Sequence, residues 1–234
     1  MKQRLIIALL VIVCSTHVVV LHCQQTQQDQ AKQLINAVVK KFKQVKDYKA
    51  DVLITLDVDF VKAPPAKGTL YFKQPNKFRL ISTDFAMLPK QSLNMSPVGI
   101  LQSEDVTLIP SGTTVLQGKQ CSIIRVVPNI DTGEVVAAKL YIEPNSALIL
   151  KSETTTKKSG TLSMVFEYKS FLSNGLPDKM TIAFDVPEFK LPKSMSGDIA
   201  SQDKNEKPKR STGSVTITYT SYSLNKGVAD TIFK

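Results

Sequence analysis

The 234-residue sequence contains no tryptophan, two histidines and three cysteines. Both histidines (His17, His22) and two of the cysteines (Cys14, Cys23) lie within the first 23 residues. Beyond that segment there is no imidazole, which excludes a Ser-His-Asp or Cys-His nucleophile and any histidine-ligated zinc site. The remaining thiol, Cys121, cannot form an internal disulfide. In the run Cys121-Ser122-Ile123-Ile124 it reads as a small buried hydrophobe on a strand. Arginine clusters are also missing, so the net charge of +10 does not point to nucleic acid. Scattered lysines fit solubility, or attraction to anionic lipid headgroups or an acidic partner.

One long hydrophobic run is present. Lys2 and Arg4 precede an apolar stretch from Leu5 to Val13, and Ser15, Thr16 and His17 then interrupt it. This is the pattern of an export signal over residues 1–23 rather than of a retained membrane span. Cleavage after Cys23 would leave Gln24 at the new N-terminus. Lipid attachment to Cys23 is the alternative, although Leu21-His22 is a poor lipobox, and an uncleaved anchor is the third. Losing Lys2 and Arg4 takes the net charge from +10 to +8.

Residues 24–234 read as a single domain. Gln24 to Gln30 form a polar leader, expected to be flexible. From Ala31 to Lys46, Leu34, Ile35, Val38, Val39, Phe42 and Val45 recur at three- and four-residue spacing, as in an amphipathic helix about 24 Å long. The period then switches to two. Val52, Ile54, Leu56, Val58 and Phe60 alternate with Asp51, Thr55, Asp57 and Asp59 until Pro64-Pro65 ends the run. Similar alternation marks Leu70/Phe72, Phe78/Leu80, Leu140/Ile142, Leu148/Leu150, Leu162/Met164/Phe166/Tyr168, Met180/Ile182/Phe184/Val186 and Val215/Ile217/Tyr219. Pro75-Asn76 and Asn174-Gly175 are turn signals between such runs. About ten strands follow, mostly antiparallel because the connections are short.

Two segments break the pattern. Phe85 to Asp105 is apolar without alternating; Phe85, Met87, Leu88, Leu93, Met95 and Ile100 are candidates for a lid of short helical turns. Residues 188–212, with five lysines and Arg210, read as a basic surface loop. A faint echo relates Tyr168, Phe171, Gly175 and Asp178 to Tyr219, Tyr222, Gly227 and Asp230, as two similar hairpins would.

Ten alternating strands must cover one broad apolar face, and a single short helix covers only part of it. A closed barrel of about eight strands fills itself with side chains, whereas a wider or incomplete one leaves interior space. The inward set Val52, Ile54, Leu56, Val58, Phe60, Leu70, Phe72, Phe78, Leu80, Leu162, Met164, Phe166, Met180, Ile182 and Phe184 would then either line a cavity for acyl chains or pack into a solid core. Alternation leaves both open.

The ordered motifs carry a resemblance. A helix ending Phe42-Lys43-Gln44-Val45 and a long strand precede Gly68-Thr69-Leu70-Tyr71-Phe72-Lys73-Gln74-Pro75-Asn76-Lys77-Phe78-Arg79. Leu140-Tyr141-Ile142-Glu143-Pro144-Asn145 follows. In this order the chain resembles the bacterial outer-membrane lipoprotein-sorting superfamily, the LolA/LolB-like carriers. The resemblance implies a mainly β (α+β) fold: an incomplete antiparallel β-barrel lidded by helices. It also implies a hydrophobic cavity for acyl chains of lipoproteins or lipids, a periplasmic location, and no reaction or cofactor. The chain departs from that pattern at Gln74. The soluble carrier has there an Arg that latches its lid, and Gln lacks the charge and the bidentate fork.

The function expected is a monomeric, non-enzymatic carrier that passes acyl chains between membranes, with a membrane surface or membrane protein as partner. The alternative is an envelope-stress or sigma-factor regulator of the same fold that binds a membrane-protein ectodomain. An enzyme using Asp57 and Asp59 is disfavoured, because alternation turns both carboxylates toward solvent.

Overall fold

The computed structural model describes residues 26–58, 64–82, 99, 101, 105–129, 135–157, 160–186 and 211–233. The chain opens with a helix, α1 (residues 26–43), followed by ten strands: β1 (Asp47–Val58), β2 (Ala66–Lys73), β3 (Lys77–Ile81), β4 (Val106–Leu116), β5 (Lys119–Pro128), β6 (Val135–Glu143), β7 (Leu148–Thr156), β8 (Gly160–Glu167), β9 (Lys179–Val186) and β10 (Ser211–Leu224). All ten form one antiparallel sheet in the order β3-β2-β1-β10-β9-β8-β7-β6-β5-β4. The sheet is curved and not closed: β3 and β4 are its two edges. The expected fold, an incomplete antiparallel β-barrel with an N-terminal helix, is the one observed.

Pairing of β1 with β10 joins the two ends of the chain across eleven register positions, from Tyr48↔Leu224 to Val58↔Gly213. Two side chains secure this junction. Asn225 accepts from the Lys46 backbone N–H at 2.7 Å, and Asp47, itself buried, accepts from the backbone N–H groups of Lys226 and Gly227 at 3.1 and 3.0 Å.

The hydrophobic periodicity of α1 seats it on the inner face of the sheet. Ala31, Ile35 and Val38 are buried against Ile124 and Val126 of β5, Ala138, Leu140 and Ile142 of β6, Ile149 of β7, Met164 and Phe166 of β8, and Ile182 of β9. A second cluster fills the other arm: Val45, Tyr48, Ala50, Val52, Ile54, Leu70, Phe72, Val215, Ile217 and Tyr219. Phe42 and Met180 pack against both and join them. Lys41 fixes the C-terminal half of the helix, donating to the Ser146 carbonyl at 2.8 Å and the Leu172 carbonyl at 3.5 Å.

Two sequence expectations are corrected and two elements gain detail. Residues 26–30 of the polar leader are helical, because glutamine tolerates a helix well and Gln28 donates to the Leu108 carbonyl of β4 at 2.8 Å. Strand β4 escapes the alternation reading because Pro110 and Gly112 interrupt it; the register shifts there, between Pro110 and Thr113, as befits an edge strand. Asn174-Gly175 does lie between two antiparallel strands, β8 and β9, as the turn signal implies. It lies in a longer connection containing a 3-10 turn, Leu172–Asn174, ended by Gly175 at φ 69°. Finally, Ser211 and Thr212, expected at the end of the basic loop, pair with Val186 and Asp185 in the sheet. Loop residues 188–210 lie outside the described residues.

The faint internal echo is not a structural repeat. Asp178 accepts from the backbone N–H groups of Lys169 and Ser170 in the β8–β9 connection. Burial alone would raise its pKa, but these donors hold it below the ordinary carboxylate value. Asp230 instead pairs with Lys73 at 3.0 Å and Lys77 at 2.8 Å, tying the C-terminal turn Asp230–Phe233 to the β2–β3 hairpin.

Candidate functional site: the inner face of the sheet

Antiparallel order sorts the connections to two ends of the curved sheet. At one end lie the β2–β3, β4–β5, β6–β7 and β8–β9 connections, together with the C-terminus of α1. Aromatic side chains fill this end. Phe72 is completely buried, with ring centroids of Phe42, Tyr48 and Phe78 at 5.4, 5.1 and 4.8 Å. The series continues from Tyr48 to Tyr222 (5.4 Å), and from Tyr222 to Tyr219 (5.2 Å) and Phe171 (4.7 Å). Seven rings thus form one plug. The Tyr222 hydroxyl donates to the Pro177 carbonyl at 2.8 Å, and burial pushes the Tyr48, Tyr219 and Tyr222 phenols well above their usual range.

Tyr219 and Tyr222 both face inward although they stand three positions apart, an odd step along a strand. The pairing of β10 with β1 steps from Asp51↔Ser221 to Val52↔Tyr219, passing over Thr220, so a bulge rephases the strand. Alternation alone turns Tyr222 outward, which is why the plug was illegible before the fold.

Gln74 sits beside this plug. Its side-chain amide donates to the Phe42 and Val45 carbonyls at 3.2 and 3.0 Å, and its backbone N–H donates to the Lys46 carbonyl at 2.8 Å. The Gln74-Pro75 peptide is cis. At position 74 this chain therefore has a neutral donor that satisfies carbonyls left over at the end of α1. Gln74→Ala is expected to lower stability by about 1–2 kcal/mol, read as a shifted urea midpoint, because those acceptors lose their partner.

The residues expected to line a cavity separate into groups. Val52, Ile54, Leu70 and Phe72 are buried in the β1/β2/β10 cluster, with Leu56, Phe78 and Leu80 half-buried at its margin. Met164, Phe166 and Ile182 lie in the cluster covered by α1, with Met180 between the two. Leu162 is buried opposite Phe184 and Thr154. For Val58 and Phe184 the register places both beside Gly213. Phe60 and the lid candidates Phe85, Met87, Leu88, Leu93, Met95 and Ile100 lie outside the described residues; Leu101, next in sequence, is buried in the α1 cluster.

One feature of the inner face has no counterpart in the sequence reading. Strand β7 presents Ser152, Thr154 and Thr156 inward, all buried, between Ala138 and Leu140 of β6 and Leu162 and Met164 of β8. Lys151, Glu153 and Thr155 take the outer face. There the Lys139 and Lys151 ammoniums stand over the Tyr141 ring at 5.1 and 5.2 Å, and Lys151 pairs with Glu153 at 2.7 Å. Asp57 is exposed, as alternation expects. Cys121 is fully buried on β5, and burial pushes its thiol pKa up. Among the described residues no group of three or more His, Cys, Asp or Glu side chains could hold a metal ion, and no helix is long and apolar enough to cross a membrane.

The fold is thus an incompletely closed antiparallel barrel with a helix against its apolar inner face. Three solved structures share it with this chain, each over 87% of this chain and 97% of its own. They are an outer membrane lipoprotein-sorting protein domain from Vibrio parahaemolyticus (9% identity, TM-score 0.53), a DUF1329 family protein from Desulfovibrio piger (12%, 0.53) and a LolA superfamily protein from Nitrosomonas europaea (9%, 0.55). The likeness is one of fold. No family model matches the chain, and no curated protein matches it by sequence.

Proposed function

We propose that this protein is an exported, non-catalytic carrier that holds acyl chains of lipids or lipoproteins against the inner face of its sheet. The observation that carries this reading is the broad, mainly apolar inner face of ten strands that do not close, blocked at one end by aromatic rings. A hydrocarbon tail would enter from the opposite end, beside half-buried Leu56 and Leu80, and run toward the plug. Each methylene removed from water contributes about 0.8 kcal/mol, so binding needs no catalytic or charged group. The fold shared with lipoprotein-sorting domains supports the same reading. In an exported protein, the basic surface suits passage between anionic membranes.

Delipidated protein is expected to take up a fluorescent C16 fatty acid with saturable, one-to-one stoichiometry, and freshly purified protein to carry a lipid adduct in native mass spectra. Leu56→Lys, at a half-buried position on the proposed path, is expected to weaken uptake at least tenfold while leaving the circular dichroism unchanged. No uptake by the parent protein, or equal uptake by parent and variant, overturns the reading.

A further inference from the structure

Five lysines gather where the two ends of the chain meet. Lys40 and Lys43 lie near the C-terminus of α1, Lys46 just before β1, Lys49 within it and Lys226 just beyond β10; all five are exposed. Asn225 ties together the segments that carry them. Its side-chain oxygen accepts from the Lys46 backbone N–H at 2.7 Å, its side-chain amide donates to the Gln44 carbonyl at 3.2 Å, and its backbone N–H donates to the Asp47 carbonyl at 2.9 Å. Lys49 faces Ser223 in the β1–β10 register.

None of the five has an ion-pair partner among the described residues, whereas Lys73, Lys77, Lys119, Lys139, Lys151 and Lys179 each have a carboxylate. The carboxylates close by are engaged elsewhere. Asp47 is buried and accepts from the Lys226 and Gly227 backbone, Asp51 accepts from the Thr69 and Ser221 hydroxyls at 3.3 and 2.8 Å, and Asp230 is held by Lys73 and Lys77. The negative end of a helix dipole favours cations, which accounts for Lys40 and Lys43 but not for Lys49 and Lys226. Positive charge is thus concentrated at this junction and left without a counter-charge.

We infer that the junction is a docking surface for an acidic segment of another protein. Compact ammoniums on long stems, set on three elements, can each meet a separate carboxylate of such a segment. A bilayer suits the surface less well. The exposed large hydrophobic side chains among the described residues are Ile81, Ile109, Val115 and Val136, and none lies on α1, β1 or β10, so nothing here anchors in lipid. The junction is at the plugged end of the sheet, and a partner seated there leaves the opposite end open. This inference stands without the carrier reading, because it uses only the outer charges.

The test measures binding of a fluorescein-labelled dodeca-glutamate peptide to the delipidated full-length mature protein by fluorescence anisotropy. Parent protein is expected to bind saturably, and binding should fall about tenfold or more between about 0.05 M and about 0.5 M salt as the charges are screened. Lys46→Gln/Lys226→Gln should weaken binding about tenfold, the loss of two ion pairs. Lys46→Arg/Lys226→Arg should retain it. Lys32→Gln/Lys67→Gln removes the same charge from exposed positions away from the junction and should stay within about twofold of the parent. No peptide binding, or equal losses in the two glutamine variants, overturns the inference. Vesicles of phosphatidylcholine and phosphatidylglycerol are the second probe. Junction-dependent binding to them in place of the peptide overturns the protein partner and assigns a lipid surface. Fatty-acid uptake is measured separately, so failure here leaves the carrier reading untouched.

Discussion

Phe72→Ala is expected to lower the unfolding free energy by about 3–5 kcal/mol, the range for deleting a buried aromatic ring from a packed core. Phe72 is fully buried and packs in tilted contact against three rings that come from different elements: Phe42 of α1, Tyr48 of β1 and Phe78 of β3. Removing it leaves a cavity that none of them can fill without moving an element. Phe72→Leu keeps most of the volume and should cost appreciably less. Urea unfolding followed by far-ultraviolet circular dichroism measures both. A loss below about 1 kcal/mol for the alanine variant would mean that the plug collapses around the gap, and that it is no rigid stop for a ligand.

Val38→Asp is expected to be comparably severe, through a different mechanism. Val38 lies on the buried stripe of α1, against the inner face of the sheet. An unpaired carboxylate at such a position is strongly disfavoured, at about 3–5 kcal/mol by analogy with breaking a buried ion pair. The helix then leaves the sheet or the protein unfolds. Neighbouring Ala37 is exposed, and Ala37→Asp should change stability by no more than about 0.5 kcal/mol. Limited trypsin digestion at Lys40, Lys41 and Lys43 distinguishes the outcomes, with early cleavage in the Val38 variant and parent-like resistance in the Ala37 variant. Parent-like resistance in both would show that the helix contributes little to covering the sheet.

Val38 and Phe72 belong to the part of the molecule that is legible in the sequence. The three- and four-residue spacing of Leu34, Ile35, Val38 and Phe42 defines the buried stripe of α1. Alternation at Leu70/Phe72 and Phe78/Leu80 gives the hairpin its correct faces, since Leu70 pairs with Leu80 and Phe72 with Phe78. Less is legible where the period slips. Thr220 shifts the phase of β10 and brings Tyr222 inward. On β7, pairing steps from Tyr141↔Lys151 to Ile142↔Ile149, which separates the apolar start of the strand from the hydroxyl-bearing remainder. Alternation counted from Leu148 puts those hydroxyls on the face of Leu148 and Leu150, and the bulge moves them to the other.

The sequence by itself determined the local elements, because backbone sterics and the burial of one face act over a few neighbouring residues. It also determined the absence of imidazole chemistry beyond residue 23. Only the tertiary structure decided which faces meet: β1 beside β10, the helix across the inner wall, seven rings at one end and three hydroxyls on β7. These pairings join residues up to about 180 positions apart, and their energy comes from excluding water jointly from surfaces that no short window of sequence contains.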